Sequence, residues 1–383
     1  MYRQIAESLK LKVEQESKND VVILYGARQV GKTTLLRNLF TNATYINLET
    51  GNFLDVFNER NPNKIKEVFK REGSLEKLIV LDEFQRLSDP GLVAKVIHDE
   101  LPEYKLIITG SSSLELAYKA SESLAGRKSI YTLFPLSLKE KLIQTFGELN
   151  QANQDDYKSE ILQSMRYGMY PDLLNTADKE FYLREYVDSV MLKDVFYLNL
   201  VRNSKNLRSL LTLLAYQIGN LVNITDLADR VGVSRQTIMD YLEILKGIFI
   251  IYTLPPFRKK RRDEIGKTEK VFFYDLGIRN AVVNDFSPVE YRRDYGAIFE
   301  NFTINEILKQ NAYQRLRYDM YHWRTKGGSE VDLILSKDNN EKAFEIKTRK
   351  GIVASAFRNT YPEANTSVIT LENISNVLLA EEF

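Results

Sequence analysis

The sequence predicts a mixed α/β chain. Its first third reads as a parallel sheet with crossover helices, followed by a helical stretch, a helix-rich segment ending in two strands, and a second α/β part. Three patterns carry this prediction. The apolar run Val21–Tyr25 enters a glycine-containing turn and then helical spacing from Lys32 to Phe40. Two further apolar runs, Leu78–Leu81 and Leu106–Thr109, are separated by helical stretches, as buried parallel strands with crossovers require. From about Gly277 a helix is followed by alternating strands with Gly-Gly and Asn-Asn turns.

At 383 residues the chain exceeds what one core supports. Boundaries are expected to divide it into 1–140, 141–206, 207–276 and 277–383. Hydrophobic residues at 44% and charged residues at 27% describe a chain that folds throughout. Cysteine is absent, which removes disulfides, thiolate nucleophiles and cysteine-based zinc sites. With His98 and His322 as the only histidines, a metal would have to sit on oxygen ligands. The net charge of +1 attracts no polyanion globally, so nucleic-acid binding needs a local basic patch. A charged N-terminal stretch and a longest apolar run of Gly247 to Leu254 predict neither secretion nor a membrane span, and hence a cytoplasmic protein.

GARQVGKTT sets Gly26, Gly31, Lys32 and Thr33 at G-x-x-x-x-G-K-[ST] spacing between a strand and a helix, the context a P-loop needs. Backbone N–H groups and the helix N-terminus would hold phosphates, Lys32 would reach the β- and γ-phosphates, and Thr33 would face Mg²⁺. Gly26, Ala27, Gln29, Val30, Gly31, Lys32, Thr33 and Thr34 are the candidate nucleotide contacts, with ATP and Mg²⁺ as ligands. About 50 residues on, KLIVLDEF brings Asp82 as a second metal-holding group and Glu83 as the general base for water. A third strand, KLIIT, ends in GSSS, where Ser111, beside Thr109 and Ser112, is placed to feel the γ-phosphate or the lytic water; a plain serine turn reads the same way. Arg127 in SLAGR is a candidate arginine finger, or an ordinary surface arginine.

These residues resemble prokaryotic AAA-like ATPases, the archaeal-ATPase-like group, which carry a GxRQ-type P-loop, an LDE(F/I)Q strand, a TGSS strand end and a downstream GR. Here they read GARQVGKTT, LDEFQ, TGSSS and AGR, over residues 20 to 137. The resemblance implies a P-loop NTPase sheet. Whether Arg127 would act within one subunit or between subunits of a homo-oligomer stays open.

NITDLADRVGVSRQTIMDYLEIL reads as two short helices capped by Thr225 and Ser234 and joined at Gly232, a helix-turn-helix pattern. IFIIYTL and KVFFYD would form a wing with Arg258, Lys259, Lys260, Arg261 and Arg262 at its tip, and Ser234, Arg235 and Gln236 would face DNA bases. The resemblance continues here, since the family often carries a winged helix. Such winged helices also serve as intramolecular lids, so DNA is one of two expectations.

At the C-terminus Asp332, Glu345 and Lys347 have the spacing D-x12-E-x-K, and Glu300 lies on the preceding helix. A hairpin turning at SKDNN would set Asp332 and Glu345 on adjacent strands with one face, able to hold Mg²⁺, while Lys347 shares that face. The segment resembles the PD-(D/E)xK nuclease-like, restriction-endonuclease-like α/β fold. It departs from that pattern in having Val331 where a proline precedes the aspartate. Two functions remain: an ATPase acting on nucleic acid with a nuclease-like domain, or a nucleotide-controlled switch that binds a protein partner and carries a silent nuclease-like domain.

Overall fold

The structure is a computed structural model of residues 1–383, described here for all residues except 16–19, 74–76, 112–123, 125, 150–152, 192–202, 258–267, 326 and 381–383. It forms two compact units: Met1–Phe134 with Gly247–Phe249, and Pro135–Lys246 with Ile250–Phe383.

The first unit is a five-stranded, all-parallel sheet. Its strands are β1 (Val21–Tyr25), β2 (Thr44–Asn47), β3 (Leu78–Asp82), β4 (Lys105–Gly110) and β5 (Lys128–Thr132), in the order β2-β3-β4-β1-β5. The three central strands are almost wholly buried, which explains their continuous apolar runs. Helices Pro62–Glu72 and Pro90–Glu100 both begin at a proline after a capping Asn61 or Asp89, and both send aliphatic side chains into one core with Ile79, Leu81, Leu106 and Ile108.

Crossovers in a parallel sheet leave every strand's C-terminal end at the same edge, so Tyr25, Asp82 and Gly110 finish together. Because β4 lies between β1 and β3, the strand that leads into Ser111 separates the phosphate loop from the Asp82 strand.

The second unit combines helices with two sheets. Ser137 and Glu140 form a capping box on helix Leu138–Phe146, and Asn153 and Asp156 another on Gln154–Tyr167. Helix Ile224–Val231 is capped by Asn223 rather than Thr225, because Asn223 accepts from the Thr225 and Asp226 amides. It ends on Gly232 at φ 76°, a left-handed turn that glycine adopts freely. Ser234 caps the next helix, Arg235–Gly247, by accepting from the Thr237 amide at 3.1 Å.

β6 (Ile251–Leu254) and β7 (Lys270–Phe273) pair antiparallel. β8 (Asp319–Arg324), β9 (Glu330–Lys337) and β10 (Asn340–Ile346) are antiparallel neighbours, and β11 (Asn365–Ile369) joins β10 in parallel. The segment after β6 docks on β8 through Phe257 N–H to His322 O at 2.6 Å and His322 N–H to Pro255 O at 2.9 Å.

Helix Tyr295–Tyr313 is buried on nearly all sides, with polar residues inside. Asn301 behaves as a neighbouring strand would: its carbonyl accepts from Phe273 N–H and its amide donates to Phe273 O, both at 2.9 Å. Glu306 accepts from Leu138 N–H at 2.6 Å, while Lys309 bonds both Glu306 and the Leu136 carbonyl. Among the described residues no helix is long and apolar enough to cross a membrane.

Candidate functional site

The loop between β1 and helix Lys32–Leu39 is held from both sides. Gly26 lies so close to Leu133 that an added Cβ would stand 2.1 Å from the Leu133 carbonyl oxygen, so only glycine fits. A Cβ at Gly31, by contrast, would meet nothing within 4 Å; the loop is open on that side. Arg3 is buried beneath the loop and donates to Val30 O at 2.9 Å and Phe134 O at 2.6 Å. Ala27 and Val30 are buried, while Gln29, at φ 60°, and Thr34 are exposed. Lys32 donates to the Gly26 and Ala27 carbonyls, both at 2.8 Å.

Across the strand ends the Thr33 hydroxyl donates to Asp82 Oδ2 at 2.6 Å. This pair fits Mg²⁺, which takes one or two protein oxygens and leaves its other positions to phosphate and water. Glu83 sits at φ 57°, an uncommon backbone state for a residue with a side chain, and its N–H donates to Asp82 Oδ1. Gln85, which no spacing rule singled out, donates to Glu83 Oε2 at 2.6 Å and to Ser111 Oγ at 3.2 Å. It thus ties the expected base to the end of β4. Thr109 is fully buried, and Ser112 lies outside the described residues.

Arg127 is a correction to any role at this chain's own loop. It precedes β5, whose Lys128 pairs with Val21 at the start of β1, and its carbonyl accepts from Val21 N–H. At ~3.3 Å per residue that is about 15 Å from the phosphate end of the strand. Its guanidinium, 53% exposed, pairs with Asp99 at 2.7 Å. Asp99 is held below the usual carboxylate range by His98 first and Arg127 second.

In the second unit the structure brings Glu300, Asp332, Glu345 and Lys347 together. Asp332 Oδ2 accepts from Lys347 Nζ at 2.9 Å and Ile346 N–H at 2.8 Å, and Lys347 also meets Glu345 Oε1 at 2.7 Å. Lys270 of β7, which had been read only as a strand residue, enters the same cluster. It lies 3.0 Å from Glu300 Oε1 and 3.9 Å from Asp332 Oδ1.

Burial pushes Glu300 up to about 7, against the opposing pull of Lys270. Glu345 is raised by burial and by Asp332. Both lysines are raised, the neighbouring carboxylates outweighing burial. Glu345 Oε2 is buried without a hydrogen-bond partner, as a metal-facing oxygen would be. Yet no three histidine or acidic groups among the described residues are arranged to hold a metal. With an ammonium between Glu300 and Asp332, the cluster does not fit a divalent ion.

Ser234, Arg235 and Gln236 are exposed at the start of helix Arg235–Gly247, with Gln236 bonded to Asp240. The basic stretch Arg258–Arg262 lies outside the described residues.

Residues 18–142 match the family described as AAA domain. Residues 158–288 and 295–373 match two families described as domains of unknown function, DUF8612 and DUF4143. The chain is similar to an uncharacterized protein of Mycobacterium tuberculosis, 26% identical over 332 residues that cover 85% of this chain and 70% of the relative. It is also similar to an uncharacterized protein of Methanocaldococcus jannaschii, at 24% over 342 residues, 84% and 74% of the two chains. A solved structure of a signal transduction ATPase with numerous domains from Pyrococcus horikoshii aligns at 14% identity and TM-score 0.32. That alignment covers 82% of this chain and 47% of the other, so this chain spans about half its length. At that score the superposition does not bear on chemistry.

Proposed function

We propose that the chain binds and hydrolyses ATP with Mg²⁺ and uses the nucleotide state to control contact with nucleic acid. The observation that supports it is the convergence of Lys32, Thr33, Asp82, Glu83 and Ser111 at one edge of a parallel sheet, two of them in direct contact at 2.6 Å. Loop amides, the helix N-terminus and Lys32 bind the phosphates. Thr33 and Asp82 would hold Mg²⁺, which supplies charge neutralisation on the phosphate oxygens. Glu83 accepts a proton as water oxygen bonds to the γ-phosphorus and the bridging bond to the β-phosphate breaks. Gln85 holds the Glu83 carboxylate against the Ser111 hydroxyl, limiting its orientations.

Lys32→Ala should weaken ATP binding at least about 100-fold, since the loop loses its mobile cation. Nucleotide titration of the full chain measures this, and unchanged affinity would reject the P-loop assignment.

For nucleic acid, exposed Arg235 at a helix start and the basic stretch at Arg258–Arg262 support phosphate contact. Arg127 remains a candidate only between subunits of a homo-oligomer. For the C-terminal sheet the buried Lys270 favours a second reading: a nuclease-shaped module that binds without cutting. Labelled duplex, single-stranded and branched DNA with Mg²⁺ or Mn²⁺ should be bound and left intact. Cleavage abolished by Asp332→Ala would restore the nuclease reading.

A further inference from the structure

Lys270 is 3% exposed and has no route to solvent by snorkelling. Burying a cation is costly unless opposite charge surrounds it, and here Glu300 and Asp332 do so at 3.0 and 3.9 Å. The lysine is anchored: it begins β7, pairs with Leu254, and forms a further bridge to Leu221. Glu300 is anchored as well, with Gly219 packed so closely that an added Cβ would lie 3.3 Å from its Oε2. The lysine thus stands on a paired strand and the glutamate lies against Gly219.

We propose that Lys270 is the specificity-determining residue of this carboxylate cluster, a built-in cation that excludes divalent metal. The inference rests on reading the C-terminal sheet as a nuclease-shaped binding module. It concerns the space between Glu300 and Asp332, which a divalent ion and an ammonium cannot share. Lys347 differs in kind. Its side chain is 43% exposed and approaches Asp332 and Glu345 from the rim, leaving Glu345 Oε2 buried and unpartnered on the inner side. Lys270 therefore blocks one half of a site whose other half still presents an unused oxygen. Removing the ammonium takes away the charge that lies between Glu300 and Asp332 and leaves these two carboxylates, with Glu345 close to Asp332, as oxygen donors of the kind that Mg²⁺ and Mn²⁺ prefer.

The test is Mn²⁺ titration of the nucleotide-free full chain, followed by electron paramagnetic resonance of free Mn²⁺. Wild type and Asp332→Asn should bind alike, with no ion assignable to the cluster. Lys270→Met should gain one Mn²⁺ per chain, at least about tenfold tighter than any wild-type site, and Lys270→Met with Asp332→Asn should lose it. Lys270→Gln keeps a hydrogen-bond donor for Glu300 and serves if the methionine variant does not fold; thermal melting reports folding for both.

A wild-type chain that binds one Mn²⁺ lost in Asp332→Asn overturns the proposal. So do folded Lys270→Met and Lys270→Gln chains that gain no ion. Fluorescence anisotropy of labelled duplex DNA with wild type, measured without metal, separates the two readings. Loss of DNA binding counts against the binding module, whereas the Mn²⁺ stoichiometry counts only for or against Lys270.

Discussion

The nucleotide loop and the carboxylate–lysine cluster are built in opposite ways. The loop's candidate contacts are eight residues within the stretch Gly26–Thr34, plus the ends of two further strands in the same parallel sheet, so its geometry follows from strand direction and a few backbone constraints. The cluster draws Lys270 from β7, Glu300 from a helix, and Asp332, Glu345 and Lys347 from two strands and the segment after them. It exists only when the second unit's tertiary structure exists. A site written in consecutive residues is tolerant of its surroundings, whereas a dispersed one inherits every error of packing.

The sharpest way to break this contrast is Glu83→Gln. The amide keeps the shape and the contact with Gln85 but cannot take a proton, so hydrolysis should fall about 10²–10⁴-fold with ATP binding retained. Steady-state phosphate release and nucleotide titration together check this. Lost binding would show that Glu83 holds the loop itself.

Smaller, and aimed at the second unit, is Asn301→Ala. It removes the two hydrogen bonds that Asn301 makes to the buried Phe273 backbone, whose carbonyl keeps the Asn305 amide at 2.9 Å, and should cost about 1–3 kcal/mol in denaturant unfolding. ATP affinity should be unaffected if the loop is as local as described.

The mildest effect tests the cluster's electrostatic reach. His322 is 2% exposed and is lowered to about 4 by burial and then by Lys270. The unfolded chain takes up that proton near pH 6.5, so stability should decline as pH falls from about 6.5 towards 4. The loss is at most about 3 kcal/mol. His322→Gln should flatten the decline in pH-dependent melts, and an unchanged slope would assign it to other groups.

Much of the first unit was legible because its inner strands are buried on both faces and therefore read as unbroken apolar runs at β1, β3 and β4. The edge strands β2 and β5 were not, since half-exposed segments such as Thr44–Asn47 and Lys128–Thr132 mix polar and apolar residues. Spacing correctly set Thr33 against Asp82, and Asp332 with Glu345 and Lys347. It left Arg127 open between a finger and a surface arginine, because a motif shows order along the chain and not at which end of a strand a residue falls. Lys270 was invisible, and Gln85 stood in the LDEFQ motif without a role, for a related reason: each acts through partners that only the fold supplies. The Thr225 cap failed by two residues because Asn223, directly before the helix, accepts from the Thr225 and Asp226 amides.

The polar interior of helix Tyr295–Tyr313 has a consequence for how the protein is made. The Leu138 amide finds its partner in Glu306, 168 residues later, and the Leu136 carbonyl finds Lys309 173 residues later. At a synthesis rate of ~5–20 residues per second, those groups wait about 10–30 s after leaving the ribosome before anything native can bond them. The five-stranded sheet of the first unit faces no such delay, since its strands are all made by Thr132. The chain therefore passes through a stage in which the nucleotide loop can already be formed while the start of the second unit is still open.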